Sequence, residues 1–329
     1  MSENVPHSAV RRFLEDHFHH FNARETVAAA RGYRRHIAGG GKMMVTLAGA
    51  MSTAQIGRSL APMIRGGLVH AITCTAANLE EDIFALVAGD QYETIENWRA
   101  LSVEDEAQLL ARGMNRVTDT CIPETVMRDI EGRLTAAWID AAGQRRRRLP
   151  ADFMFDLVRD GLSEVDGGID PNRWDRSWIV AASENDIPVF TPGFEDSTLG
   201  NIYAARVIEG VVPNHDAVCT GTEQMQRLAK WYEGQTDHGV GFFQIGGGIA
   251  GDFPICVVPM LNQDLQRGVP LWAYFCQISD AVTSYGGYSG AVPNEKITWG
   301  KLAPDTPKFM IQSDASIVAP LIFAHVLGW

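Results

Sequence analysis

Met43-Met44-Val45-Thr46-Leu47-Ala48-Gly49-Ala50-Met51-Ser52 is the stretch on which the fold turns. Its first half is an uncharged apolar run and reads as a buried strand, Met43 to Ala48. A turn of small residues follows, and the chain to about Ile64 reads as a helix with Ser52 or Thr53 near its N-cap. Gly66-Gly67 ends that helix and Leu68 to Thr73 makes a second apolar strand. Thr75-Ala76-Ala77-Asn78-Leu79-Glu80-Glu81-Asp82 then opens another helix. Strand, small-residue turn, helix, repeated, builds a doubly wound α/β sheet of mostly parallel strands with helices on both faces. Ligands bind in such sheets where the turns gather at the strand C-termini.

Outward from this stretch the pattern continues. Residues 8–37 read as a charged helical segment, and the expected division is a helical segment over 1–38 and one α/β domain over 39–329. In the His17-Phe18-His19-His20 cluster only His17 and His20 share a helix face and no Cys or carboxylate pattern completes a site, so no metal is expected. Residues 92–165 read as a helical excursion, with Arg145-Arg146-Arg147-Arg148 as a solvated or salt-bridged run. Ile187 to Phe190 is a short strand and Val240 to Ile245 a buried one. Gly246-Gly247-Gly248 follows at once and lets the backbone pass close to a ribose or pyrophosphate. Leu271 to Gln277 and Phe309 to Gln312 are the last strands, before a closing helix over Ile317 to Leu327.

The chain of 329 residues is 46% hydrophobic and 21% charged, enough for a large core in a soluble protein. A net charge of −12 argues against nucleic acid as the main partner. The five cysteines are scattered and odd in number, as suits reduced thiols in a cytoplasm. Neither a signal peptide nor a run long enough to span a bilayer is evident, so no membrane partner is expected.

Gly286-Gly287-Tyr288-Ser289-Gly290 through Asn294-Glu295-Lys296-Ile297-Thr298-Trp299-Gly300-Lys301 holds the candidate chemistry. A lysine beside a flat apolar wall is hard to charge, and a neutral lysine is a nucleophile toward imines and carbonyls. Read from these residues alone, a surface turn with a solvated lysine and a core tryptophan is the plainer alternative.

The ordered set Gly246-Gly247-Gly248, Trp299-Gly300-Lys301 and Asp314-Ala315-Ser316 resembles the deoxyhypusine synthase family, and its bacterial deoxyhypusine synthase-like branch in particular. The likeness runs from about residue 40 to the end. It implies a Rossmann-like domain assembled as a homotetramer, with active sites between paired subunits. It implies NAD as cofactor, held by Thr75, Ala76, Glu81, Asp196, Gly246, Gly247, Gly248 and Asp314. It implies Lys301 as the catalytic residue, with Glu295, Trp299, Ser289, Asn201, Asp252 and Tyr288 toward a polyamine substrate. Several positions depart from the family pattern. Ala77-Asn78 stands for Gly-Gly, Asn201 for an aspartate, Asp252 for a histidine, and Tyr285 and Tyr288 for acidic residues.

The chemistry the resemblance implies is NAD-dependent aminobutyl transfer. A hydride leaves the carbon beside a secondary amine of spermidine, the lysine captures the resulting imine, an acceptor amine takes the group over, and the hydride returns. The acceptor is expected to be a free diamine such as putrescine, giving homospermidine, or a protein lysine. The competing readings are a non-catalytic NAD-binding subunit of an active paralogue, and an ordinary NAD dehydrogenase.

Overall fold

The computed structural model describes residues 9–162, 169–235, 237–283 and 286–329. In chain order the strands are β1 (Lys42–Leu47), β2 (Ala71–Cys74), β3 (Glu93–Thr94), β4 (Met114–Val117), β5 (Thr120–Pro123), β6 (Val189–Phe190), β7 (Val240–Ile245), β8 (Tyr274–Ser279) and β9 (Lys308–Gln312). A six-stranded sheet runs β6-β2-β1-β7-β8-β9, with all neighbours parallel. Counting only these strands, the order is 3-2-1-4-5-6, the doubly wound dinucleotide-binding order. It reverses direction between β1 and β7.

Successive residues on a strand face opposite sides, and both sides here are apolar. On one side Phe243 meets Tyr33 and Phe323, with ring centroids 5.5 and 5.4 Å apart. On the other, Phe242 meets Trp272 at 4.8 Å and Phe275 at 5.9 Å. All four of these phenylalanines are fully buried, each contributing roughly 2 kcal/mol relative to exposure. The N-terminal helices Ala9–His17 and Phe21–Ala38 pack into the same body. Arg11 bonds the His325 carbonyl, and Tyr274 donates its hydroxyl hydrogen to the Ala29 carbonyl at 2.9 Å.

Two sequence expectations need correction. Residues 92–165 are not helical throughout, because β3, β5 and β4 form a small antiparallel sheet within them. Val117 and Thr120 pair across a two-residue turn in which Thr118 takes a φ of 57°, a left-handed conformation with no glycine to advertise it. Residues 163–165 of that stretch lie outside the described residues. The helix after β1 is Gly57–Arg65, and neither Ser52 nor Thr53 caps it. Ser52 is instead held by Asn78. Its N–H donates to Asn78 Oδ1 at 2.8 Å and its hydroxyl to the Asn78 carbonyl at 2.7 Å.

Candidate functional site

The turns after β1, β2, β7 and β8 converge at the sheet's switch point, where a crevice opens in this topology. Thr75 caps the helix Ala76–Ala88, accepting from the Asn78 N–H, and donates its hydroxyl to the Gly49 carbonyl at 2.7 Å. Asn78 is a hub rather than a flaw in the turn. Its amide nitrogen lies 2.8 Å from the Gly49 carbonyl and 3.2 Å from those of Leu47 and Ala48. It thereby adds a donor to carbonyls at the end of β1, two of which, Leu47 and Gly49, also accept from the Thr75 N–H and hydroxyl.

After β7, Gly246 and Gly248 take φ of +75° and +56°, which glycine adopts freely. A Cβ on Gly247 would stand 1.9 Å from Ser289 Oγ and 2.8 Å from Ser289 Cα. Ser289 is seated there by two bonds. Its hydroxyl oxygen accepts from the Gly248 N–H at 3.2 Å, and its carbonyl from Gln277 Nε2 at 2.6 Å.

Gln244 and Gln277, register partners on β7 and β8, are wholly buried. Gln244 Nε2 donates to the Gly246 carbonyl at 2.8 Å, and its oxygen accepts from the Tyr288 hydroxyl at 2.7 Å. The two amides thus tie the glycine turn to the 288–289 segment. Neither glutamine stands out in the sequence as a site residue. Their signal was an amide inside each of two apolar strand runs.

Lys301 is 7% exposed and Trp299 is 66% exposed, the reverse of a solvated lysine with a core indole. Gly300 between them takes φ +66°, a left-handed conformation that glycine adopts freely. Lys301 is fixed through its main chain, its N–H donating to the Lys296 carbonyl at 3.0 Å and its carbonyl accepting from the Trp272 N–H at 3.2 Å. Lys301 Nζ lies 3.5 Å from Asp252 Oδ1, 5.7 Å from the Tyr288 ring centroid and 5.8 Å from that of Trp299. Asp252 comes from the helix Gly248–Ile255 that starts at the glycine turn. Cys256, one turn further along, points its thiol at Asp252 Oδ1, 3.7 Å away. Burial pushes that thiol above its ordinary range, with the Lys301 charge opposing. Burial also pushes the Tyr288 phenol well up.

Lys301, Asp252, Tyr288 and Trp299 therefore come together, while Ser289, next to Tyr288 in the chain, sits against the glycine turn. Glu295 heads the short helix Glu295–Thr298 and is exposed. Asp196 and Asn201 are exposed too, and the Asn201 amide is engaged by the Glu195 and Ser197 carbonyls of its own segment. Asp314 caps the helix Ala315–Leu327, accepting from the Ser316 N–H at 2.7 Å. Tyr285 lies outside the described residues.

Glu80 and Glu81 are both buried. Glu80 accepts from the Thr198 and Leu199 N–H groups at 3.1 and 2.8 Å, at the start of the helix Thr198–Ile208. Glu81 Oε2 has no partner, and burial reinforced by the Glu80 charge pushes its carboxyl up to about 8. A separate cavity of about 370 Å³ is lined by Ser52, Thr53, Arg58, Asp82, Tyr92 and Arg173 among others, and none of the residues predicted for the site lines it.

Fold and site together define a doubly wound α/β protein with a buried lysine paired to a carboxylate on the helix that leaves the glycine turn after β7. The family model for deoxyhypusine synthase matches residues 16–326. The chain belongs to the deoxyhypusine synthase family. A deoxyhypusine synthase-like protein of Thermosynechococcus vestitus is 30% identical over 294 residues, covering 86% of this chain and 69% of that protein. One from Cyanothece is 28% identical over 291 residues, covering 86% and 70%. An archaeal relative in Methanosarcina acetivorans, named probable deoxyhypusine synthase 1, is 26% identical over 280 residues, covering 85% and 78%. A solved structure of a candidate deoxyhypusine synthase from Entamoeba histolytica shares the fold, with TM-score 0.56 at 12% identity over 98% of this chain and 95% of that one.

Proposed function

We propose that the protein is an NAD-dependent aminobutyl transferase that acts on a polyamine through a covalent imine on Lys301, with a free diamine such as putrescine as acceptor. The observation that carries this is Lys301 itself, buried, paired with Asp252 and walled by Tyr288 and Trp299. Such a lysine is sheltered from water, and its imine would be too. The exposed Trp299 offers an open aromatic face for an aliphatic amine, with a cation–π contribution. Asp252 and the exposed Glu295 supply negative charge for its ammonium groups.

The residues present fit a dinucleotide. Gly49 and Gly248 face open space where any Cβ would stand, Gly246 bends the turn, and Glu81 keeps an unpartnered buried carboxyl oxygen. Thr75, Ala76, Glu81, Gly246, Gly247 and Gly248 would hold it, with Asp196 and Asp314 at the rim. When bound, NAD supplies a reversible hydride acceptor. Lys301 attacks the imine carbon and retains the four-carbon unit, Trp299 keeps that unit extended, and Asp252 balances the charge that Lys301 sheds and regains. A homotetramer with shared sites would bring a neighbouring chain over the exposed Trp299 face.

Pure protein incubated with NAD, spermidine and putrescine tests this. Homospermidine formed without net NADH is the expected result. Steady accumulation of NADH would identify a dehydrogenase instead, and no new polyamine with any amine acceptor would leave the protein without the proposed activity.

A further inference from the structure

The separate cavity of about 370 Å³ is walled by one face of the helix Ala76–Ala88, which presents Asp82, Ala85 and Leu86, with Gly89 just past its end. These positions recur at helical spacing. The segment 52–58, which follows β1, and the short helix Pro171–Arg176 form the other walls. Those two walls touch. A Cβ on Gly57 would stand 2.2 Å from the Arg176 carbonyl oxygen, so the close approach requires glycine. Arg58 and Arg176, beside that contact, both line the cavity and are both exposed, so they stand at its mouth.

Three aspartates and three arginines line the cavity, and they are not equally engaged. Asp82 accepts from the Ser177 hydroxyl and, at 3.1 Å, from the Ile179 N–H. Asp90 pairs with Arg173. Asp170 caps its helix, accepting from the Asn172 N–H at 2.9 Å. Each carboxylate is therefore held within the protein. Arg58 Nε, by contrast, donates to the neutral Gln55 amide oxygen at 2.6 Å. Arg176 has no side-chain hydrogen bond or ion pair among the described residues. Arg173 Nη1 reaches the Val87 carbonyl at 3.3 Å, but its Nε is buried without a partner. The Thr53 and Tyr92 hydroxyls are buried without partners as well. Burial, with the Glu81 and Asp82 charges, pushes the Tyr92 phenol up, so at neutral pH it carries a proton to donate. Buried polar groups are ordinarily hydrogen-bonded, and the unmet ones here are donors.

We propose that this cavity is a second ligand site, for a small sugar phosphate: Arg58 and Arg176 take the phosphate at the mouth, and Thr53, Tyr92 and Arg173 Nε take sugar oxygens deeper in. Guanidinium forks match oxyanions. A phosphate monoester offers three oxygens, enough for two guanidiniums brought by different elements, where a carboxylate offers two. The volume is that of a small-molecule site and exceeds what a bare phosphate fills. The buried hydroxyls need polar partners beyond the phosphate, and Ala85 and Leu86 face the carbon skeleton. Nothing in this site depends on the aminobutyl-transfer reading.

Calorimetric titration of the full chain with ribose 5-phosphate tests it, with inorganic phosphate as comparison. NAD is present throughout, so that the glycine turn after β7 offers no second phosphate site. Saturable binding is expected, at least about tenfold tighter than that of inorganic phosphate. Arg58→Gln and Arg176→Gln should each weaken it about tenfold. Tyr92→Phe should weaken ribose 5-phosphate and leave inorganic phosphate unchanged. Both arginines are exposed, so their replacement leaves the core intact, and should one variant not fold, the other decides. No saturable binding in the millimolar range, an unchanged affinity in a folded arginine variant, or inorganic phosphate binding as tightly as ribose 5-phosphate overturns the proposal.

Discussion

Lys301 and Asp252 form an ion pair with one member sheltered and the other half open, Nζ to Oδ1 at 3.5 Å with side-chain exposures of 9% and 49%. An arriving ammonium therefore meets the carboxylate before the lysine. Asp252→Ala should lower kcat/KM for a cationic amine on the order of tenfold or more, since one lost charge contact of over a kcal/mol has that effect. Steady-state kinetics with an amine panel measures it. Unchanged kcat/KM across the panel would place Asp252 outside the substrate's reach.

Tyr288→Phe removes the donor to Gln244 Oε1 at 2.7 Å and strands a wholly buried acceptor. The expected loss is about 1–3 kcal/mol in unfolding free energy, read by denaturant titration. Because Gln244 also holds the Gly246 carbonyl, dinucleotide affinity should fall with it. A variant as stable as wild type would mean that this bond contributes nothing.

Gly247→Ala should disturb the 288–290 turn, because the new methyl group would overlap Ser289 from hydroxyl to Cα. Dinucleotide binding by calorimetry is expected to weaken at least about tenfold, a penalty of some 1.4 kcal/mol. Adding Ser289→Ala should not restore it, since the backbone contact remains. Full restoration by that second change would show the clash to be with the hydroxyl alone.

Glu81 gives a pH signature. Its carboxyl titrates near 8 in the folded protein against an ordinary value of 4.5, so the native state holds a proton that the unfolded chain has lost between those limits. Stability should therefore fall as pH rises from about 4.5 toward 8. Glu81→Gln removes this dependence. Its Tm should match wild type near pH 4.5 and exceed it increasingly up to pH 8. A Tm difference that stays flat over that window contradicts the assignment.

The parallel sheet was legible because its strands are largely apolar runs, charged only at the lysines that open β1 and β9, and most end in glycine or small-residue turns, as at Leu47-Ala48-Gly49 and Ile245-Gly246-Gly247. The sheet of β3, β4 and β5 was not, because its strands are short and a left-handed Thr118 carries the hairpin. The glycine turn, Asp252 and Lys301 were found through their likeness to a family. Their mutual geometry was not in the sequence, since spacing cannot say which neighbour of Gly300 faces inward. The substitution at Asn78 reads as a loss from sequence, and only the carbonyls around it reveal a structural tie. Lys296 escaped notice because a lysine two residues from Asn294 reads as solvated until Phe275 of β8 and Tyr288 of the 288–290 turn are brought over it.

The most direct measurement is reductive trapping with borohydride in the presence of NAD and spermidine, followed by peptide mapping. The account predicts a four-carbon amine adduct on Lys301, absent from a Lys301→Ala variant that still binds NAD. An adduct on another lysine, or none while spermidine is being turned over, would contradict it.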